Sequence, residues 1–391
     1  MKVFEVDSPA TKKEFLEFPV RLFSRDENYI RPLDKDIEAV FDPGKNKIAK
    51  MKGAQSCRWL LIDEKGETIG KVAAFINPKT VDKNEQPTGG LGFFDCINNQ
   101  DAANLLFDTA KDWLKSRGCE AMDGPINFGE RDKWWGLLIE GFTEPNYCMP
   151  YNLPYYQQLF ENYGWQVYFK QFTYFREVKN NLMSDKFEER GQKVLNDSDY
   201  EFRYIPKSEM HKAPEYFVEV YNKAWGGHAE LKVMSLSQAK AMFKSMKPVM
   251  DERLIYFGFY KGQPVSFFIS LPELNQIFKY LNGKLDWLGK LKFLFYKKFK
   301  PNKKMLGLVF GVVPEHQGKG VESAMVCRYQ EFVADKSFPY YEIEMGWIGD
   351  FNPKMMRVTE QLGSHINKIH HTYRYLFDRN KEFKRYPFLS K

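Results

Sequence analysis

What most constrains this chain is that it resembles itself. Lys65-Gly66 and Lys261-Gly262 lie 196 residues apart. Gly164 and Gly363 lie 199 apart, and each is followed nine residues later by Thr-Tyr, at Thr173-Tyr174 and Thr372-Tyr373. The order of strand-like and helix-like runs between these landmarks is also shared. Residues 57–62 and 68–75 flank one glycine turn, residues 254–260 and 264–270 the other, and each pair reads as a β-hairpin. An amphipathic helix signal follows at 102–115 and at 320–335. A shorter helix then closes on Gly164 or Gly363, and a strand comes last, at 166–175 and 371–377. Dissimilar landmarks that keep one offset point to an internal duplication. The expectation is an α/β protein, an α+β mixed sheet with flanking helices, made of two similar domains in tandem, 1–180 and 181–391. The polar stretch Val178-Lys179-Asn180-Asn181 marks the boundary.

The length of 391 residues suits two domains, and 43% apolar side chains supply their cores. Five cysteines, none in a Cys-x-x-Cys pair, make no disulfide framework. The start, Met-Lys-Val-Phe-Glu-Val-Asp, has no apolar signal core, and no run reaches the length of a membrane span. A cytoplasmic location is expected. Residues 1–180 carry 24 basic and 27 acidic side chains, residues 181–391 carry 34 and 24. Much of the second excess sits in residues 276–304, with nine lysines and one acid, Asp286. Charge this local argues against general nucleic-acid binding.

The segment with most chemical content is Gly311-Val312-Val313-Pro314-Glu315-His316-Gln317-Gly318-Lys319-Gly320-Val321. A strand runs through a glycine turn directly into a helix. Backbone N–H groups at such a turn converge, and the helix dipole makes the spot anion-seeking. Glycines let a pyrophosphate approach. No three-glycine dinucleotide fingerprint and no Gly-Lys-Ser/Thr is present.

This segment resembles the pyrophosphate loop of the GNAT acyl-CoA transferases, Gln/Arg-x-x-Gly-x-Gly/Ala, with Gln317 and Gly320 in register and Glu322 at the last, usually small, position. Asn352 opens the next helix, as an Asn near the cofactor commonly does in that family. Thr359 stands where the family often has a general-acid Tyr. The resemblance covers most of residues 200–391. It implies two GNAT-like domains, acyl-CoA as co-substrate, no metal, and a cofactor site at Val312, Val313, Gln317, Gly318, Lys319, Gly320, Val321 and Asn352. It implies that strand 308–313 splays from strand 341–345 to admit the pantetheine arm. Backbone groups near Val312 and Val313 would then serve as the oxyanion hole. The first domain has Asn98-Asn99-Gln100 in place of the loop and is expected to be structural or to shape the substrate pocket.

An acceptor must lose a proton and the leaving thiolate must gain one. Glu342 and Glu344 share a strand face, and Glu344 is the preferred candidate base. Tyr373 and Tyr375 share another, and Tyr373 is the candidate acid. Plain packing or a salt bridge is the alternative for each. The loops 124–136 and 146–152, rich in Gly, Trp and Tyr, either cover the acceptor pocket or pack between domains. Within 281–299, Leu281, Leu285, Leu288, Leu291, Phe295 and Phe299 recur at helical spacing among lysines. This basic amphipathic insertion has three readings: a helix packed on its own domain, a cap over the cofactor, or a helix on a membrane surface. The functional expectation is an acyl-CoA-dependent acyltransferase, acting on an amine or similar nucleophile of a small molecule or peptide. The alternative is a non-catalytic acyl-CoA-binding or partner-binding protein of the same fold. The sequence leaves the oligomeric state open.

Overall fold

A computed structural model describes residues 1–83, 85–225, 233–300 and 302–388. The first half runs β1 (Lys2–Glu5), α1 (Pro9–Leu22), α2 (Asp34–Phe41), β2 (Gln55–Ile62), β3 (Thr68–Ile76), β4 (Thr88–Cys96), α3 (Gln100–Lys115), β5 (Ala121–Gly124), β6 (Leu137–Glu140), α4 (Tyr156–Tyr163) and β7 (Gln166–Glu177). The second runs α5 (Asp185–Leu195), β8 (Tyr200–Tyr204), α6 (Ala213–Trp225), α7 (Leu236–Met246), β9 (Ile255–Tyr260), β10 (Gln263–Pro272), α8 (Asn275–Phe278), α9 (Trp287–Phe299), β11 (Lys304–Val312), α10 (Val321–Ala334), β12 (Glu342–Gly349), α11 (Pro353–Gln361) and β13 (His365–Leu376). The order is the same in both halves from the hairpin onward. Extra elements mark the differences: β6 in the first half, α8 and α9 in the second.

All these strands join one mixed sheet, in the order β1-β2-β3-β4-β5-β13-β7-β12-β11-β10-β9-β8, with β6 also on β13. The centre of that order holds an exchange. β13, the last strand of the chain, pairs with β5, Tyr373 opposite Gly124. β7, the last strand of the first half, pairs with β12, Tyr174 opposite Met345. The two last strands pair with each other from His365 opposite Phe175 to Arg374 opposite Gln166. Each half therefore completes its sheet with the other's final strand, and neither β5 nor β12 is left as an open edge.

The strands are buried on both faces, so many read as nearly continuous apolar runs rather than alternating ones. In the first half Trp59, Leu61, Val72 and Ala74 face α3 and α4, while Leu60 and Ala73 face Phe15 of α1. In the second, Tyr256, Met305 and Ile343 face α10, and Ile255, Phe257 and Phe267 face α6 and α7. Among the described residues no helix is long and apolar enough to cross a membrane.

Candidate functional site

Strands β11 and β12 are parallel and pair only where Lys304–Gly307 runs beside Glu342–Met345. Beyond that point β11 follows β10 and β12 follows β7. The parting expected at 308–313 thus begins just after Gly307. At the branch β11 carries a bulge: Ile269 faces Val309 and Ser270 faces Gly307, leaving Leu308 without an opposite number and exposed. Strands that part leave facing backbone groups unspent, and an extended ligand arm can satisfy them.

The end of β11 leads to the glycine loop. Gln317 donates its side-chain amide to the Val312 carbonyl (2.9 Å), which folds the loop back on the strand. Gly318 and Gly320 have φ of +70° and +90°, a region that L side chains rarely enter. Gly320 is the N-cap of α10 and brings no capping side chain. Among the described residues, the N–H groups of Gly318 through Glu322 meet no acceptor. The matching helix of the first half is different. Asn99 caps α3 with its own side chain, accepting from the Ala102 N–H (2.9 Å). The gap beside β4 is also closed there, because the Ile126 N–H donates to the Leu91 carbonyl (2.8 Å). Among the described residues, only the second half thus combines a bare helix start with an open strand pair.

The expected site residues separate on inspection. Gln317, Gly318 and Lys319 are exposed, whereas Gly320 and Val321 are buried. A Cβ on Gly320 would come within 2.9 Å of the Arg190 carbonyl, so α5 lies against this side of the loop. Asn352 caps α11, accepting from the Met355 N–H (3.3 Å). Of the two residues expected to form an oxyanion hole, Val313 has its N–H engaged by the neighbouring strand. Val313 donates its N–H to the Val265 carbonyl (2.9 Å), and the Val312 carbonyl is taken by Gln317. Leu308, at the bulge, is the residue of β11 with nothing opposite it on β10.

Tyr373 also lies elsewhere. The strand exchange puts it in the core of the first half, where its hydroxyl donates to Glu161 (3.0 Å). The tyrosine 199 positions earlier, Tyr174, takes the corresponding place in the second half. It stands on β7 opposite Met345, the last residue of β12 paired to β11. Its hydroxyl is fully buried with no partner at bonding distance. Thr359 is its neighbour: the Thr359 hydroxyl donates towards the Met356 (2.7 Å) and Met355 carbonyls of α11, and its oxygen stays open as an acceptor on the Tyr174 side. Burial raises the pKa of Tyr174 and keeps it protonated. Its neighbours Thr359 and Met345 line a cavity of about 80 Å³ between α10, α11 and the parting strands, walled also by Phe310, Val326, Tyr329, Met355 and Val358. Arg176 of β7 reaches this cavity, bonded to Gln330 (2.5 Å) and the Asn180 carbonyl, its Nε unpaired. Burial lowers its pKa to about 10.

Glu344 faces the other side of the sheet, 1% exposed. Lys304, Lys368 (3.0 Å), Asn367 (3.0 Å) and Asn146 (2.5 Å) all donate to its carboxylate. Burial alone would raise its pKa, but Lys368 and Lys304 outweigh burial and hold it below the usual carboxylate range. A carboxylate so stabilised as the anion is a weak proton acceptor, and its geometry is that of a buried counter-ion.

The loops 124–136 and 146–152 shape a second cavity, of about 120 Å³, in the first half. Its walls include Phe23, Tyr29, Leu33, Tyr147 and the buried Lys71–Asp95 pair (3.2 Å). Phe93, Trp134 and Cys148, three of the five described non-glycine residues with positive φ, line it as well. Strained backbone thus gathers round this one hollow. The Asn146 side chain, on the same loop, reaches Glu344 and ties this hollow to the underside of β12. Among the described residues no three His, Cys, Asp or Glu side chains gather as metal ligands would.

No family model matches the chain. It is 27% identical over 383 residues to the bacterial ceramide synthase of Caulobacter vibrioides, covering 95% of this chain and 97% of that one. It is 24% identical over 369 residues to protein YghO of Escherichia coli, covering 92% of each. Among solved structures it resembles a tandem GNAT protein from the clavulanic acid biosynthesis pathway, with a TM-score of 0.54 at 10% identity, over 97% of this chain and all of that one. The chain has the tandem GNAT fold.

Proposed function

We propose that this protein transfers an acyl group from a coenzyme A thioester to an amine, in the opening between β11 and β12. The observation that carries this reading is the coincidence of parted parallel strands with an uncapped helix start at the end of one of them. The free amides of 318–322 and the exposed Lys319 suit a pyrophosphate. Gly318 has open space on its Cβ side, and the backbone at Leu308, with nothing opposite it on β10, suits an amide-bearing arm. When bound, coenzyme A supplies an activated acyl carbon. The reaction makes one C–N bond and breaks one C–S bond, the amine gives up a proton and the sulfur takes one. Tyr174 is the group we assign to hold that second proton. Its neutral hydroxyl sits at the branch of the strands with no competing partner.

The substrate class follows from the walls. The cavity beside Tyr174 is apolar, which favours a long acyl chain over acetyl. The Caulobacter relative is named a ceramide synthase, an activity that joins a fatty acyl group to an amine on a long alkyl chain. We take the acceptor to be a long-chain amine of this kind, and the strained hollow of the first half to shape its approach. Calorimetry with acetyl-CoA and palmitoyl-CoA tests the donor, and thiol release over short- and long-chain amines tests the acceptor. Lys319→Glu should weaken CoA binding by about tenfold or more. Absence of binding by any CoA thioester would overturn the proposal, and binding without turnover would leave a carrier or sensor of acyl-CoA.

A further inference from the structure

The insertion between β10 and β11 is a helix with two apolar faces, and only one of them has a partner. On the inner side Gly289 is buried, Leu285 and Phe293 pack on Leu33, Phe278 and Leu281, and Tyr296 stacks on Tyr280 at 4.3 Å. The segment that leads into the helix is fastened to the first half as well. The Asp34 N–H donates to the Gly283 carbonyl (2.8 Å) and Lys279 pairs with Glu144 (2.8 Å). On the outer side Trp287, Leu288, Leu291, Leu294, Phe295 and Phe299 are exposed, Trp287 by 68% and Leu294 by 61%. At 3.6 residues per turn these six form one stripe. The sequence pattern puts Leu285, Leu288, Leu291, Phe295 and Phe299 in one helical stripe and leaves open whether it packs inward, caps the cofactor or meets a membrane. The structure turns most of that stripe outward, because the inner contacts fall on 285, 289, 293 and 296 instead.

We propose that α9 docks this protein on an anionic lipid bilayer, lying in the plane of the surface with the outer stripe in the acyl region. Three observations choose the occupant. The first is charge: nine lysines and one acid lie within 276–304, and Lys290, Lys292 and Lys298 are exposed on the helix. Lysines beside an apolar stripe reach anionic headgroups while their stems lie along the boundary. The second is length. Thirteen residues rise about 20 Å, too short to span a bilayer and suited to lie on one. The third excludes the simplest protein partner. Packing α9 against α9 of a second copy would bring two lysine-rich surfaces together with only Asp286 to offset them. α9 ends at Phe299, and β11, the strand that edges the opening, begins at Lys304. The inference uses only the exposed stripe and its charge, so it stands whether or not acyl transfer occurs there.

The test is sedimentation of the whole protein with vesicles of phosphatidylcholine alone and with added phosphatidylglycerol. Binding should need the anionic lipid and weaken as salt rises. Leu291→Gln/Leu294→Gln/Phe295→Gln changes only exposed side chains, and it should lower vesicle affinity by about tenfold or more. Lys290→Glu/Lys298→Glu should lower binding to anionic vesicles and change binding to neutral ones little. Far-ultraviolet circular dichroism and CoA calorimetry on each variant show whether it is folded. Two results would overturn the proposal. One is that the wild type ignores both vesicles. The other is a concentration-dependent dimer, seen by ultracentrifugation and lost in the apolar variant, with no vesicle binding, which would make a second copy the occupant.

Discussion

Tyr174 carries a hydroxyl that the fold itself does not use. Buried tyrosines normally find a partner, and this one stands beside a threonine whose own hydroxyl is bonded elsewhere. Tyr174→Phe removes at most a long contact to the Thr359 oxygen, and unfolding in urea should shift by less than about 1 kcal/mol. If the hydroxyl protonates the leaving thiolate, kcat falls by about a hundredfold or more while CoA affinity holds. Equal rates in Tyr174→Phe and wild type would remove the assigned acid. His370 and His371 have the opposite character, since both are buried and matter for stability. Burial lowers their pKa values to about 3 and about 4, from an ordinary 6.5. Between pH 6.5 and 4 the unfolded chain binds protons that the folded one refuses. Stability from these groups is complete above 6.5 and is lost as pH falls, at up to about 1.4 kcal/mol per pH unit for each. Glu273 and Asp95, whose pKa values burial raises, act in the other direction at low pH. The variant comparison isolates the histidine part: His370→Leu should flatten the acid side of the stability profile. An unchanged slope would mean that His370 takes up its proton in the folded state.

At the level of elements, the local signals were sound where short-range chemistry decides. Gly164 has φ of +103° and closes α4, as a glycine after a helix should. The hairpins, the strand before the glycine loop and α10 all lie where the repeat spacing puts them. Misreadings arose where a distant element chooses. Val313 was legible as the end of a strand, but its N–H bond to Val265 depends on the neighbour β10. The stripe of α9 was legible as amphipathic, but which side packs depends on where Leu33 and Phe278 sit. The packing of α5 on α10 left no trace in the spacing, although it decides how the glycine loop is backed. There Gly191 allows close approach. A Cβ on it would lie 2.7 Å from Cys327 Sγ and 3.0 Å from the Ser323 backbone. Gly191→Ala should cost about 1–3 kcal/mol by prying the helices apart. It should also weaken CoA binding, because the Arg190 carbonyl beside Gly320 must move with α5. Stability lost with CoA affinity intact would show that the loop holds its shape without α5.

The duplication could be read from one sequence, whereas the exchange of final strands could not. A strand's apolar pattern says that it is buried in a sheet and is silent about which sheet. Tyr174 and Tyr373 are therefore equivalent in sequence and opposite in outcome: one ends beside the parted strands, the other in the core beside α4. The exchange also decides how the molecule divides. A chain ending near residue 180 would keep β7 but lose β13, its neighbour on β5. A chain beginning near 181 would lose β7 from between β12 and β13. Each piece would expose a long unpaired edge and an uncovered apolar face, and such surfaces aggregate. The expected result is that residues 1–180 and 181–391, produced separately, are insoluble or lack cooperative unfolding. Produced together, they should assemble into one soluble complex, because β7 and β13 can pair between chains as they do within one. The complex should recover CoA binding, since Tyr174 and Arg176 return to the second half with β7. Two halves that each unfold cooperatively alone would mean that the pairing of β13 with β5 and of β7 with β12 is dispensable. The site at β12 would then owe nothing to the first half.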